Sequence, residues 1–287
     1  MGKVFGLIMR KGGVGKTTSA NTLAVQFALH EDPDIFSKDP TTLQGHLPVL
    51  AIDMDTQSNL SGGLGIELDR WKRQYSGKTF TSTYEVLLNP EFGVAHARYH
   101  TAYGVDLVPA VAAMSGVESE LSNAIQRENR LAIALRAAGT DTFPVPVQAV
   151  DQWKWIVVDS PPSLSVLTLN VLAAVDFVLI PVEIGDYALG AVPEVIAAVD
   201  LVRRINRNLR VGGIFCTKYD ARNNLSRTIE AEIRKRFGSL VFETVIPLNT
   251  RIAEAPTMRQ PVQVYAPSSS SAQAYAQLAQ EIMEKCR

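Results

Sequence analysis

A glycine-rich stretch near the start of the chain, residues 10–18, reads Arg-Lys-Gly-Gly-Val-Gly-Lys-Thr-Thr. It follows a short apolar run and precedes a segment with helical periodicity, which is the context in which a loop binds phosphate. Glycines let the backbone curl until its N–H groups converge on phosphate oxygens, and the next helix adds the partial positive charge of its first turn. We expect Lys16 to reach the terminal phosphates and the Thr17 hydroxyl to ligate Mg²⁺. The loop departs from the standard pattern, because Arg10 replaces its first glycine and Lys11 adds a second lysine.

Carboxylates that could hold the magnesium ion follow two other apolar runs. Asp53 and Asp55 follow residues 49–52, and Asp159 follows residues 155–158. In an open α/β sheet, ligands bind beyond the carboxyl ends of the strands, so both clusters are expected beside the phosphate loop. Asp159 is the candidate Walker B residue, which contacts Mg²⁺ directly or through water. An extended Asp-Met-Asp would turn both of its carboxylates the same way, whereas the alternative is a turn capped by their side chains.

Strand-like and helix-like segments, which must position these groups, alternate along the chain. This alternation predicts βαβ units, and the continuous apolar runs indicate strands that are buried on both faces. We therefore expect an α/β fold with three layers: a mostly parallel twisted sheet with helices on both faces. We predict one domain over residues 1–287, with a surface insertion at about 31–46. The predicted strands are Val4–Met9, Pro48–Ile52, Asp106–Pro109, Trp155–Val158, Phe177–Pro181, Val211–Thr217 and Val241–Ile246. The predicted helices are Lys16–His30, Val117–Ala138, Ser165–Ala174, Leu189–Arg207, Ser226–Phe237 and Ala272–Lys285.

Composition excludes several classes of protein. The 287 residues are 46% hydrophobic with a net charge of −1, which suits a globular chain and argues against disorder or an overall polycation. Cys216 and Cys286 are the only cysteines, so a disulfide framework, a zinc site or an iron–sulfur cluster within one chain is not expected. The same scarcity favours a reducing cytosol. No apolar stretch is long enough to predict a membrane-spanning helix.

Positive charge is concentrated in one part of this nearly neutral chain. Residues 203–236 include ten basic and three acidic side chains, a net charge of +7. A local basic face is what sequence-independent, salt-sensitive binding to nucleic-acid phosphates requires. The alternative is a set of ordinary solvated helix faces, on which such runs are common.

Three motifs in this order resemble those of the ParA/Soj partition ATPases, within the larger group that includes MinD and the nitrogenase iron protein. Residues 11–18, KGGVGKTT, resemble the deviant Walker A motif of that group. Residues 53–57, DMDTQ, resemble its DxDxQ motif, and residues 157–170, VVDSPPSLSVLTLN, resemble its Walker B segment. From Thr217 onward the chain resembles the ParA/Soj branch in particular. The resemblance covers nearly the whole chain, apart from the insertion and parts of residues 69–103.

This resemblance implies that ATP and Mg²⁺ bind, that two chains sandwich two nucleotides, and that hydrolysis is slow. Lys11 would cross to the partner's phosphates, and Asp55 would position the hydrolytic water. The implied catalytic residues are Lys11, Lys16 and Asp55, and the implied supports of the metal are Thr17, Asp53 and Asp159. The implied nucleotide contacts are Lys11, Gly12, Gly13, Val14, Gly15, Lys16, Thr17, Thr18, Lys218, Pro247 and Asn249. Pro247 and Asn249 would frame the adenine.

Members of the ParA/Soj branch bind DNA non-specifically as ATP-bound dimers. The resemblance therefore implies DNA and a ParB-like activator as partners, no membrane contact, and a cytoplasmic, nucleoid-associated location. The implied DNA contacts are Arg203, Arg204, Arg207, Arg222, Arg227 and Arg251. The chain departs from many relatives at Leu248 and at Ser268–Ser271, where they carry basic residues.

Two other functions stay open on the sequence. A MinD-like membrane-cycling ATPase would need a basic amphipathic tail, and Tyr275, Leu278 and Ile282 do lie near helical spacing. Two acidic residues balance two basic ones in residues 272–287, which favours a packed helix. A nucleotide-gated regulatory or scaffold protein would keep the phosphate loop but turn over little ATP.

Overall fold

Seven strands among the described residues form one sheet. The computed structural model describes residues 2–38, 48–66, 80–137, 149–185 and 188–286. The strands are β1 Lys3–Leu7, β2 Val49–Asp53, β3 Tyr99–His100, β4 Val105–Val108, β5 Trp155–Asp159, β6 Phe177–Glu183 and β7 Arg210–Thr217. Their order is β3-β4-β2-β5-β1-β6-β7, and every neighbouring pair is parallel except β3 with β4. The predicted mostly parallel sheet is confirmed.

Helices cover both faces of this sheet. They are α1 Lys16–Glu31, α2 Asn59–Gly63, α3 Thr83–Leu88, α4 Met114–Glu120, α5 Arg130–Leu135, α6 Ala149–Gln152, α7 Val166–Ala174, α8 Ala188–Val202, α9 Asn224–Phe237, α10 Thr250–Thr257, α11 Val262–Tyr265 and α12 Ser270–Lys285. Side chains alternate along a strand, so Val4 enters one core, which it shares with α5, α7 and α8, while Phe5 enters the other, with α1 and α12. The predicted three layers are therefore present. Within the described ranges, no helix combines the length and the apolar character needed to cross a bilayer.

Strand register brings the candidate site residues to one edge of the sheet. β1 lies between β5 and β6, and Leu7 at its end pairs with Asp159. Asp53 ends β2, on the other side of β5, and it also pairs with Asp159. The loop that follows β1 therefore leaves the sheet beside both carboxylates, at the edge where open α/β sheets bind ligands.

The predicted helix Val117–Ala138 is wrong in its continuity. The structure has α4, a short turn and then α5, and the last residue of the predicted range lies outside the described residues. Asn170 on α7 stabilises the break, because its Nδ2 donates to the carbonyl oxygen of Arg127 at 2.7 Å and its Oδ1 accepts from N of Leu131 at 3.1 Å. Gln126 has a φ of 53°, in the left-handed region that no right-handed helix contains. A distant side chain therefore replaces the helical hydrogen bonds.

The predicted strand Val241–Ile246 is also wrong. The segment runs beside β7 and is tied to it only near its two ends, where N of Phe242 donates to the carbonyl oxygen of Ile214 and N of Ile246 donates to that of Cys216, each at 2.8 Å. The amides of Glu243 and Thr244 instead donate to the carboxylate of Glu281 on α12, at 2.6 and 3.1 Å. Because these two amides donate to a side chain, they cannot form the backbone hydrogen bonds of a β-strand.

The insertion predicted at about 31–46 is described only in part. Its described portion ends at residue 38 and includes a short helical turn, Ile35–Ser37, whose first side chain is buried. Residues 39–46 lie outside the described residues. The two-residue strand β3 was not predicted, since two residues are too few to show a period.

Candidate nucleotide-binding site

The phosphate loop connects β1 to α1 with glycines in conformations that other residues avoid. Gly13 and Gly15 have φ angles of 76° and 95°. A Cβ placed on Gly12 or Gly13 would meet no atom of the described residues within 4 Å, so the space next to the loop is open. α1 begins without a side-chain cap and without an acidic residue in its first turn. Its first backbone amides are therefore available to an anion.

Lys16 lies between this loop and the carboxylates. Its side chain is almost fully buried, and its Nζ donates to the carbonyl oxygen of Lys11 at 3.4 Å. Burial lowers the pKa of Lys16, while the charges of Asp159 and Asp55 act against that shift. The ammonium group is thus placed where it can exchange these carboxylates for phosphate oxygens.

Asp159 is fully buried; the Thr17 side chain is close enough to interact with its carboxylate, but neither oxygen accepts a well-formed hydrogen bond from the described residues. Burial and the charge of Asp53 raise the pKa of Asp159 well above its ordinary value, while the nearby Thr17 hydroxyl and the Lys16 charge act against the rise. A buried carboxylate without hydrogen-bond partners destabilises the folded protein unless a cation binds to it. No cluster of three or more His, Cys, Asp or Glu side chains suited to a metal occurs in the described part of the chain. One carboxylate and one hydroxyl beside a phosphate loop fit Mg²⁺, which takes its other ligands from phosphates and water.

Asp53 is also fully buried, but its oxygens are used within the protein. Oδ1 accepts from N of Asp55 at 3.1 Å, and Oδ2 accepts from N and Oγ of Ser61 at 2.9 and 2.7 Å. Asp55 in turn accepts from N of Gln57 at 3.0 Å. Because β2 ends at Asp53, the extended Asp-Met-Asp is not formed, and the alternative turn capped by aspartate side chains is present. Asp53 holds the turn that places Asp55, and burial raises the pKa of Asp53 to about 6.

A cavity of about 250 Å³ opens beside the phosphate loop. Three of the predicted nucleotide contacts that are distant in sequence, Lys218, Pro247 and Asn249, line it together with residues 13–15 and Thr18. Its lining also includes residues that the sequence did not assign to the nucleotide: Thr217, Ile246, Leu248, Ile252, Ala253, Pro256 and Tyr275. A small, largely apolar cavity with a few polar groups suits a flat heteroaromatic base.

Hydrogen bonds to the phosphate loop and to α1 fix the walls of this cavity. Thr217 Oγ1 donates to the carbonyl oxygen of Val14 at 2.9 Å, and the hydroxyls of Tyr275 and Ser19 are hydrogen-bonded at 2.8 Å. Asn249 accepts from N of Arg251 at 2.8 Å and so caps α10. The loop and the cavity are therefore parts of one rigidly connected site.

Glu183, at the end of β6, contacts two of the predicted nucleotide residues. Its Oε2 lies 3.2 Å from Nζ of Lys11, and its Oε1 accepts from Nζ of Lys218 at 3.0 Å. Burial alone would raise the pKa of Glu183, but the hydrogen bonds from Lys218 and Lys11 outweigh burial and hold it below its ordinary value. The sequence gives no signal for Glu183, because a single glutamate at a strand end belongs to no motif.

The six arginines predicted to contact DNA do not form one continuous face. Arg203, Arg204 and Arg207, the amino-end arginines, follow α8 at the amino ends of the strands. Arg203 Nε donates to the carbonyl oxygen of Leu209, which precedes β7, and its guanidinium is ion-paired with Asp200. These three side chains are therefore at the end of the sheet opposite to the phosphate loop.

Arg222, Arg227 and Arg251, the carboxyl-end arginines, lie on the side of the phosphate loop. Arg222 and Arg227 follow the carboxyl end of β7. N of Leu248 donates to the carbonyl oxygen of Tyr219 at 2.9 Å, which brings the segment that leads to Arg251 beside the same loop. All three are exposed. The basic segment 203–236 is thus divided between the two ends of the sheet.

Comparisons with known proteins identify the family of this chain. The model of the AAA domain family, AAA_31, matches residues 41–211. The chromosome partitioning protein ParA of Caulobacter vibrioides is 35% identical, over 99% of this chain and 95% of the relative. The chromosome-partitioning ATPase Soj of Thermus thermophilus is 36% identical, over 97% of this chain and 94% of the relative.

Solved structures show the same fold with nucleotide bound. The cobyrinic acid a,c-diamide synthase of Mycobacterium smegmatis, with bound ADP and magnesium, matches with a TM-score of 0.73 and 28% identity, covering 99% of this chain and 95% of the other. The family model covers more than half of the chain, and relatives more than 30% identical cover nearly all of it. The chain therefore belongs to the ParA/Soj family of P-loop ATPases.

Proposed function

We propose that this protein is a partition ATPase that binds Mg²⁺ and ATP, dimerises around the nucleotides, hydrolyses ATP slowly and, as a dimer, binds DNA without sequence preference. The observation that carries the proposal is the buried, unpartnered Asp159 beside Lys16, below an open phosphate loop and next to the base-sized cavity. The pairing of one orphaned carboxylate with one buried lysine suits a metal-bound triphosphate.

Each residue of the site has a separate task in this proposal. The loop amides and Lys16 hold the phosphates, and Thr17 with Asp159 holds Mg²⁺, which neutralises phosphate charge when bound. Asp53 supports the metal site indirectly, because its oxygens already accept hydrogen bonds from Asp55 and Ser61. Asp55 positions the hydrolytic water.

Lys11 supplies the link between two subunits. It is exposed on the phosphate loop, where a second subunit can reach it. A cation that arrives from the partner stabilises the charge on the transferring phosphoryl group, as an arginine finger does. Dimerisation then requires ATP, and hydrolysis times the life of the dimer.

The carboxyl-end arginines are the better candidates for ATP-dependent DNA binding. They share the phosphate-loop side of the sheet, so a dimer formed there brings two sets together, whereas the amino-end arginines point away from it. Arg222 is ion-paired with Asp220 and Arg251 with Glu254. Surface ion pairs of this kind are weak, so both arginines can exchange these carboxylates for DNA phosphates. Binding of this kind is salt-sensitive and consistent with a nucleoid-associated location and a ParB-like activator.

A membrane-cycling function is less well supported. Tyr275, Leu278 and Ile282, which would form the apolar face of a membrane-binding tail, are buried in the core of the protein. Their burial favours the packed-helix interpretation of α12. Flotation with lipid vesicles in the presence of ATP tests this, and ATP-dependent flotation would revive the MinD-like alternative.

The test of the proposal compares wild type with Asp55→Ala in ATP and in ADP, by size-exclusion chromatography and by retention on random-sequence DNA. We expect Asp55→Ala to accumulate as a DNA-bound dimer in ATP. Replacing the three carboxyl-end arginines by alanine should abolish retention, while the same change of the amino-end arginines serves as the matched control. Equal DNA binding in ATP and ADP, or a monomeric Asp55→Ala that still binds ATP, would refute the proposal. The rate of phosphate release, measured with and without DNA, distinguishes an ATPase whose hydrolysis limits the life of the dimer from a nucleotide-gated scaffold that turns over little ATP.

A further inference from the structure

Glu183 contacts two of the three lysines of the nucleotide site, Lys11 and Lys218, with separate oxygens. Its Oε2 faces Lys11 at 3.2 Å and its Oε1 faces Lys218 at 3.0 Å. Lys11 and Lys218 are each about half-exposed, whereas the Glu183 side chain is 24% exposed. Among the described residues, no other carboxylate forms an ion pair with Lys11. The lysine that would leave the subunit is therefore paired within it.

The backbone on both sides of this contact is fixed. Glu183 is the last residue of β6 and pairs with Thr217 on β7, while N of Ile184 donates to the carbonyl oxygen of Thr217 at 3.1 Å. Lys218 follows directly with a φ of 54°, a left-handed conformation that is uncommon for a lysine. Residues held in such conformations are concentrated at functional sites, where the surrounding structure enforces them.

We propose that Glu183 is a positioning residue, which holds Lys11 on its own subunit until nucleotide and a second subunit compete for that lysine. This rests on the proposed function, in which Lys11 crosses between subunits. A nucleotide brings several negative phosphate charges to the loop, next to the cavity that Lys218 lines, so it competes with the Glu183 carboxylate for both ammonium groups. Phosphates of the bound nucleotide attract Lys218, and phosphates of the other subunit's nucleotide compete with Glu183 for Lys11.

The neighbouring pair Arg10–Glu194 provides a matched control. It joins the residue before Lys11 to α8, and both partners are about half-exposed. Glu194→Gln removes one negative charge near the loop but leaves the contact between Glu183 and Lys11 intact. A general change in the electrostatic field would therefore appear in both glutamate variants, whereas release of Lys11 would appear only at Glu183.

The experiment measures the dimerisation midpoint by sedimentation velocity, with Mg²⁺ and a non-hydrolysable ATP analogue, over a series of protein concentrations. Since each dimer breaks two such contacts, we expect Glu183→Gln to lower the dissociation constant of the dimer about tenfold. Glu183→Asp keeps the negative charge but moves it away from the two lysines, because its side chain is shorter. It should therefore also lower the dissociation constant of the dimer. Glu194→Gln should leave it unchanged. In a Lys11→Ala background, Glu183→Gln should produce no further shift.

Each outcome bears on one of the two proposals. If wild type does not dimerise with the analogue, the proposed function is refuted and Glu183 has no such role. If wild type dimerises but Glu183→Gln and Glu183→Asp match it, or Glu194→Gln shifts the constant equally, the role of Glu183 alone is refuted. The role of Glu183 is also refuted if Glu183→Gln lowers the dissociation constant of dimers that carry Lys11→Ala. Thermal unfolding of each variant establishes that it is folded. If Glu183→Gln does not fold, Glu183→Asp supplies the test.

Discussion

Asp53 should make the stability of this protein decrease as the pH rises. Burial raises the pKa of Asp53 from 3.8 to about 6, so the folded state binds this proton more tightly than the unfolded chain. The resulting stabilisation is complete below about pH 3.8 and is lost as the pH rises through about 6. The full shift corresponds to about 3 kcal/mol of unfolding free energy. Roughly 2 kcal/mol of this falls between pH 4.5 and 7.5.

Asp53→Asn removes this titration. The variant also disturbs the hydrogen bonds with Ser61, but that cost does not depend on pH. We therefore expect the unfolding free energy of wild type to fall by about 2 kcal/mol relative to the variant between pH 4.5 and 7.5. The charge of Asp53 also raises the pKa of Asp159. Asp53→Asn removes that charge and so lowers the pKa of Asp159, which makes the unfolding free energy of the variant depend still less on pH.

Urea unfolding of the nucleotide-free protein in magnesium-free buffer, at several pH values, measures this difference. Glu91→Gln, which removes an exposed carboxylate, is the control and should follow wild type. Bound Mg²⁺ and nucleotide should flatten the wild-type profile, because a cation next to the buried carboxylates favours their charged forms. Curves for wild type and Asp53→Asn that stay parallel across the whole range would refute the assignment of a raised pKa to Asp53.

Three further predictions concern the phosphate loop and the cavity. Lys16→Ala should weaken ATP binding by about 10- to 100-fold in calorimetry, because it removes a buried charge-assisted contact with phosphate; unchanged affinity would contradict the role of the loop. Gly13→Ala should lower the unfolding free energy by about 1–2 kcal/mol, because its φ is 76°. Gly12→Ala is the control, since a Cβ has equal space there without that angle, and equal losses would contradict the argument. Tyr275→Phe should cost about 1 kcal/mol in urea unfolding, because it removes the hydrogen bond with the buried Ser19 hydroxyl; no loss would indicate that this bond adds no net stability.

The sheet and the phosphate loop could be predicted because they depend on local patterns. Continuous apolar runs identify buried parallel strands, and a motif at the end of each run identifies Lys16, Asp53 and Asp159 as neighbours. The roles within the cluster could not be separated in this way, because only the structure shows that Asp53 is hydrogen-bonded while Asp159 has no partner.

The errors arise where distant side chains replace backbone hydrogen bonds. Glu281 takes amide donors from the segment predicted as the last strand, and Asn170 interrupts the segment predicted as one long helix. Neither effect leaves a trace in the local sequence. The basic segment shows that nearness along the chain does not give nearness in space, because β7 separates its two groups of arginines.

The central position of β1 has a consequence for synthesis of the protein. This strand leaves the ribosome before the other six strands, yet its partners, Trp155–Asp159 and Phe177–Leu179, follow roughly 150 residues later, which takes about 8–30 s of translation. During that interval the nascent chain exposes an apolar strand with two unpaired edges, the kind of segment that chaperones bind and that otherwise aggregates. Because the nucleotide site needs strands that are made later, bound nucleotide cannot guide the early stages of folding. Variants that slow elongation between β1 and β5 should therefore lower the yield of native protein more than variants that slow elongation after β6.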